Sequence, residues 1–197
     1  MEPLLFVFYL LVYIYTGFAL KLIDQVNDEN FELNRKLTVV ILVSSPILAG
    51  IVMGMDLYNG SVGLMLIIGL FFTKKINVRD FKIYALLVVC SMVVVSLFNQ
   101  FYVFVNFLSI ILTIILLLVA VIADELLNAF FDSKKIENGF LKKLASIRPI
   151  LKIVAFSLPF FNLFTFYHAF MVLGLDIAYD LTKYYTEREM EKEGKIT

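Results

Sequence analysis

Apolar residues run along this chain in long stretches, and the charged residues gather between them. Pro3–Leu20, Leu37–Met55, Leu57–Thr73, Ile83–Ala123 and Ile153–Leu175 carry no charged side chain. A helix needs about 20 mostly apolar residues to cross a bilayer, so each run predicts at least one crossing. Ile83–Ala123 is too long for one, and the polar pair Asn99–Gln100 divides it into helices at about 82–98 and 101–123. Asp56, Asn59 and Gly60 mark a short turn between the second and third helices. The last run reads in two ways. It is one well-sized span, or it is a short helix from Pro149, a turn at Pro159–Asn162 and a longer helix to about Thr182, because proline favours the first turn of a helix over its interior. The first way gives six crossings and the second seven. The seven spans are about 3–23, 37–56, 59–73, 82–98, 101–123, 149–161 and 163–182, with a charged tail at 183–197.

Composition agrees with an all-α, polytopic transmembrane helix bundle without a soluble domain. Hydrophobic residues make up 61% of the 197 and charged residues 17%, against about 45–50% and about 25% in soluble domains. A water-soluble globule of this size has too little interior for that much apolar surface. Charge sets the orientation, because loops rich in Lys and Arg stay cytoplasmic. Lys21, Arg35 and Lys36 follow the first helix, Lys74, Lys75, Arg79 and Lys82 the third, and Lys134, Lys135, Lys142, Lys143, Arg148 and Lys152 the fifth. With seven crossings the tail joins them, and all 17 basic residues share one face. The expected topology is a multi-pass protein of the cell membrane with its N-terminus outside and its C-terminus cytoplasmic. Met1-Glu2-Pro3 lacks the positive start of a cleavable signal peptide, so the first helix is expected to be retained. Net charge is zero with no basic aromatic patch, which argues against a nucleic-acid partner.

Candidate chemistry lies where carboxylates fall at helix ends. Asp24 and Asp28 close the first helix, Asp124 and Asn128 the fifth, and Asp176 and Asp180 the last. A spacing of i, i+4 puts both side chains on one face, a turn apart. Paired acids repel, and negative charge is disfavoured at a helix C-terminus. A mid-membrane Asp also costs roughly 2.5–3.5 kcal/mol. Such pairs point to a counter-ion, and Mg²⁺ characteristically bridges one or two carboxylates to substrate phosphates. Lys21, Arg148 and Lys152 lie at similar depth and are candidates for phosphate oxygens. The bland alternative is solvated helix ends and internal ion pairs, such as Lys21 with Asp24 or Asp28.

The Asp24–Asp28 and Asp176–Asp180 pairs, with Asp124–Asn128 as a third, resemble the aspartate-rich motifs of intramembrane prenyltransferases of the ubiquinone-biosynthesis type. That likeness implies a prenyl diphosphate bound through Mg²⁺ on two such motifs. The chain is shorter than those enzymes, and Glu32 stands where their first motif carries a further Asp.

The other polar residues read as structure. His168 is the single histidine, cannot build a zinc site alone, and is expected to be packed at the outer half. Cys90 has no partner for an internal disulfide. Gly50 and Gly54 form a small-xxx-small face for close packing within the chain or for a homo-oligomer. Asp56 is expected to be a solvated turn residue. Three functions stay open: a Mg²⁺-dependent enzyme, such as a transferase, acting on a phosphorylated lipid or prenyl diphosphate at the cytoplasmic face; a small cation transporter or channel; and a non-catalytic membrane scaffold.

Overall fold

The computed structural model describes residues 2–28, 31–72, 78–98, 107–133, 148–192 and 194. The fold is all-α. Among the described residues seven helices follow in order: α1 (Pro3–Asp28), α2 (Arg35–Met53), α3 (Leu57–Phe72), α4 (Arg79–Phe98), α5 (Phe107–Ser133), α6 (Pro149–Ser157) and α7 (Phe166–Lys192), with a 3₁₀ turn at Leu158–Phe161 between the last two. No strand occurs among the described residues. The turn expected at Asn99–Gln100, the basic segment 134–147 and the end of the tail lie outside the described residues.

Among the described residues three helices, α1, α2 and α4, are long and apolar enough to cross a membrane by length and composition. Shorter apolar stretches lie at Leu57–Gly69, Ile110–Asp124 and Pro149–Phe161. α7 differs. Its first turns are apolar, but Asp176, Asp180 and Lys183 enter mid-helix, and it continues to Lys192. Residues 183–192, read from sequence as tail, carry on one helix whose Thr182, Thr186 and Met190 form a buried stripe.

Local chemistry explains the breaks. The Asn34 side chain accepts from the Lys36 amide and opens α2. Asp56 opens α3 in the same way, taking the Asn59 amide at 2.9 Å on Oδ1. Asn162, at φ 57°, ends the 3₁₀ turn in the left-handed region, where asparagine is tolerated better than most residues. Just after the turn, the Leu163 carbonyl accepts from the Thr113 hydroxyl on α5 at 2.8 Å, which gives this non-helical backbone group a partner.

α1 and α7 form the centre of the bundle and run parallel. Phe6 meets Tyr167 near one end, with ring centroids 5.3 Å apart. Gly17 faces the Leu175 backbone mid-way, and Asp24 meets Tyr179 towards the other end. A Cβ on Gly17 would fall 2.0 Å from the Leu175 carbonyl oxygen, so only glycine permits this approach. Tyr13, Val172 and Met171 of these helices share an apolar core with Val62, Leu117 and Leu158.

α2 and α4 also run parallel, with Ser45 bonded to Tyr84 at 2.9 Å. A Cβ on Gly50 would fall 2.0 Å from Ser91 Oγ, and one on Gly54 2.7 Å from the Met92 carbonyl oxygen. The small-residue face is therefore packed against α4 of the same chain, the first of the two uses its spacing allows.

Candidate functional site

The end of α1, the start of α6 and the middle of α7 bring the acids together with bases. Asp24 is buried, and its Oδ2 takes the Lys21 ammonium at 2.9 Å and the Tyr179 hydroxyl at 3.3 Å. Asp176, only 1% exposed, faces two cations: Lys152 Nζ lies 2.7 Å from Oδ2 and Arg148 Nη1 3.5 Å from Oδ1. Lys152 Nζ is also 4.0 Å from Asp180. Tyr179 joins the two groups, because the Arg148 guanidinium lies 4.5 Å from its ring centroid and Lys21 Nζ lies 5.6 Å from it. Such stacking is favourable electrostatically and orients the guanidinium.

Asp124 has a different task. Arg148, the residue before α6, adopts φ 49° and ψ 60° and makes no side-chain cap bond. Pro149 follows at the first helical position. The cap comes instead from α5: Asp124 Oδ1 accepts from the Ile150 amide at 3.0 Å and Oδ2 from the Leu151 amide at 2.7 Å. One buried carboxylate thus satisfies two orphan donors of another helix and sits where the helix dipole favours negative charge. Asn128 lies in α5, but its side chain is outside the described residues. Asp28 is exposed at the end of α1.

Beside this cluster is a cavity of about 150 Å³. Its wall is apolar over Leu20, Val62, Met65, Phe81 and Val172, and polar at Arg148, Asp176 and Tyr179. An apolar cavity of about that size can hold a benzene-sized group. The arrangement therefore offers a short apolar chain a place next to a charged, hydrogen-bonding end.

The donors do not fit a Mg²⁺ ion. Mg²⁺ needs oxygens at about 2.0–2.1 Å in an octahedron. The Asp24 and Asp176 oxygens that face the cluster carry ammonium groups at 2.9 and 2.7 Å, where a divalent ion would meet a like charge. Both oxygens of Asp124 hold backbone amides. Among the described residues, no three His, Cys, Asp or Glu side chains are grouped closely enough to hold a metal.

A second polar group stands at the other end of α7. His168 is buried; its Nε2 lies 3.4 Å from each Asp56 oxygen, and its Nδ1 lies 2.6 Å from Thr165 Oγ1. Asn59 Nδ2 donates to Asp56 at 2.6 Å, and the Tyr13 hydroxyl donates to Asn59 Oδ1 at 2.9 Å. Tyr58 and Phe164 flank the imidazole. The network ties α1, the start of α3 and the start of α7. Asp56 is thus a helix cap and a histidine partner, where the sequence suggested a solvated turn. The pair is 112 positions apart in the chain, so no local spacing signals it.

This chain matches no protein-family model, no curated protein and no solved structure.

Proposed function

We propose that this chain is a polytopic membrane protein that binds a phosphorylated lipid, such as a prenyl phosphate or diphosphate, at the cytoplasmic end of its bundle. The cavity carries this reading, because one wall joins an apolar interior to the Arg148–Asp176–Tyr179 cluster. An amphiphile with an anionic head has that pattern of demands, and Arg matches phosphate geometry well.

Membrane embedding is supported by an inside-out distribution of polarity. Leu4, Leu97 and Phe98 are each more than three-quarters exposed, while Lys21, Asp24, Asp124 and Asp176 are buried. A soluble monomer rarely leaves such apolar surface open. The parallel run of α1 and α7 supports seven crossings over six, because parallel first and last spans require an odd number. The same geometry favours placing residues 183–192 on the side of Lys21 and Asp24. The cation-carrier alternative has less support, since Asp24, Asp124 and Asp176 already face cations or amides of the chain itself.

A photoactivatable prenyl phosphate tests the proposal in lipid nanodiscs. Crosslinks should map by mass spectrometry to cavity residues such as Met65, Val172 and Leu175. Crosslinks confined to outward residues such as Leu86 and Val93 would remove it.

A further inference from the structure

We infer that the head of this lipid is held without a divalent metal, its phosphate replacing Asp176 on Arg148 and Lys152, and that the lipid has a single apolar chain. The inference rests on the phosphorylated-lipid reading above and adds the means of holding and the substrate class.

Asp176 presents one carboxylate to two cations, at 2.7 and 3.5 Å. Its own side chain is 1% exposed, while those of Arg148 and Lys152 are 26% and 24% exposed. The bases therefore reach the surface from which a head group arrives, and the acid lies behind them. A phosphate brings more charge and more acceptor oxygens than a carboxylate, and the Arg fork with a Lys point charge suits it. Arg148 is already oriented by the Tyr179 ring, so little side-chain freedom is lost when it binds. A metal placed on the same Asp176 oxygens would have to displace Lys152 and approach Arg148. Direct exchange avoids that repulsion.

Cavity size limits the tail. About 150 Å³ takes a few carbons of one chain, not two acyl chains side by side. Gly69 lines the cavity, and a Cβ built there meets no atom within 4 Å, which marks open space along the α3 wall.

The test uses the full chain in phosphatidylcholine nanodiscs, titrated with farnesyl phosphate, with a one-chain lysophosphatidate, with a two-chain phosphatidate and with inorganic phosphate. Each titration is read by native mass spectrometry in EDTA and again in Mg²⁺. Saturable binding of a one-chain probe is expected, with affinities in EDTA and Mg²⁺ agreeing within about twofold. Asp176→Asn removes the competing carboxylate and should tighten binding by about threefold or more, whereas a metal ligand at that position would make the same change abolish binding. Binding that requires Mg²⁺, or that weakens in Asp176→Asn, overturns metal-free exchange and leaves the phosphorylated-lipid reading standing. Phosphatidate or inorganic phosphate binding as tightly as the one-chain probes overturns the single-chain assignment. Absence of binding by every probe overturns both this inference and the reading beneath it. The EDTA comparison needs no variant, so a poorly folded Asp176→Asn does not blunt the test.

Discussion

Tyr179 and Asp24, 155 positions apart in the chain, are joined by a hydrogen bond of 3.3 Å from the phenol to the carboxylate, while the opposite side of the site places Arg148 4.5 Å from the same ring. One side chain thus sets both the acid of α1 and the base before α6. Tyr179→Phe keeps the ring and loses the hydroxyl, which should weaken phosphorylated-lipid binding about threefold, in line with one modest hydrogen bond. Tyr179→Leu also removes the surface under Arg148 and should cost about tenfold, as expected for a partly desolvated cation–π contact. Equal affinities for wild type, Phe and Leu would show that Tyr179 does not orient Arg148 for a ligand.

Asp124 is the acid whose role differs most from its expected one. Removing it leaves the Ile150 and Leu151 amides without their acceptor. Each orphaned buried donor costs about 1–3 kcal/mol, so with two of them Asp124→Ala should destabilise the protein by about 2–6 kcal/mol. Asp124→Asn, with one acceptor oxygen, should fall between the two. Thermal unfolding in detergent micelles reads the series. The opposite pattern, full stability with lost lipid binding, would make Asp124 a ligand residue instead of a cap.

Two glycines should respond in opposite directions. Gly17→Ala places a methyl group 2.0 Å from the Leu175 carbonyl oxygen, so α1 and α7 must separate. Overpacking of this kind costs about 1–3 kcal/mol. Gly69→Ala meets no atom within 4 Å and replaces the poorest ordinary helix former, so it should be neutral or stabilising by up to about 1 kcal/mol. Gly69→Met should keep stability but shrink the cavity and weaken one-chain lipid binding. The order of the unfolding temperatures, Gly69→Ala above wild type above Gly17→Ala, is the check. A reversed order would mean that the two parallel helices are not packed as described.

Much of the fold was legible because helices bonded within themselves suit charge-free runs, and five of those helices fall on the runs. Boundaries were less legible. The first span, read as about 3–23, stops short of α1, which continues to Asp28 because Lys21, Asp24 and Gln25 lie on its buried face, where ion pairing and hydrogen bonding replace apolar contact. α7 passes Thr182 for a similar reason, its stripe of Thr186 and Met190 staying buried within a charged sequence. At the site, i, i+4 spacing identified carboxylates of three helices that converge on one end. It could not show that their neighbours there would be ammonium, guanidinium and amide groups, since those pairings cross from helix to helix. The Asp56–His168 network was invisible for the same reason: its members come from three separate places in the chain.

The proposed lipid site requires the C-terminal end of α1 and the charged half of α7 to lie at the same face of the membrane. Cysteine accessibility in intact cells tests that most directly. In a Cys90→Ser background, single cysteines at Leu4, Lys36 and Glu191 are challenged with a membrane-impermeant maleimide, before and after the cells are opened. Position 4 should label from outside, while 36 and 191 should label only after opening. Labelling of 191 from outside, with 36 still protected, would place Asp176 and Asp24 at opposite faces and contradict that requirement.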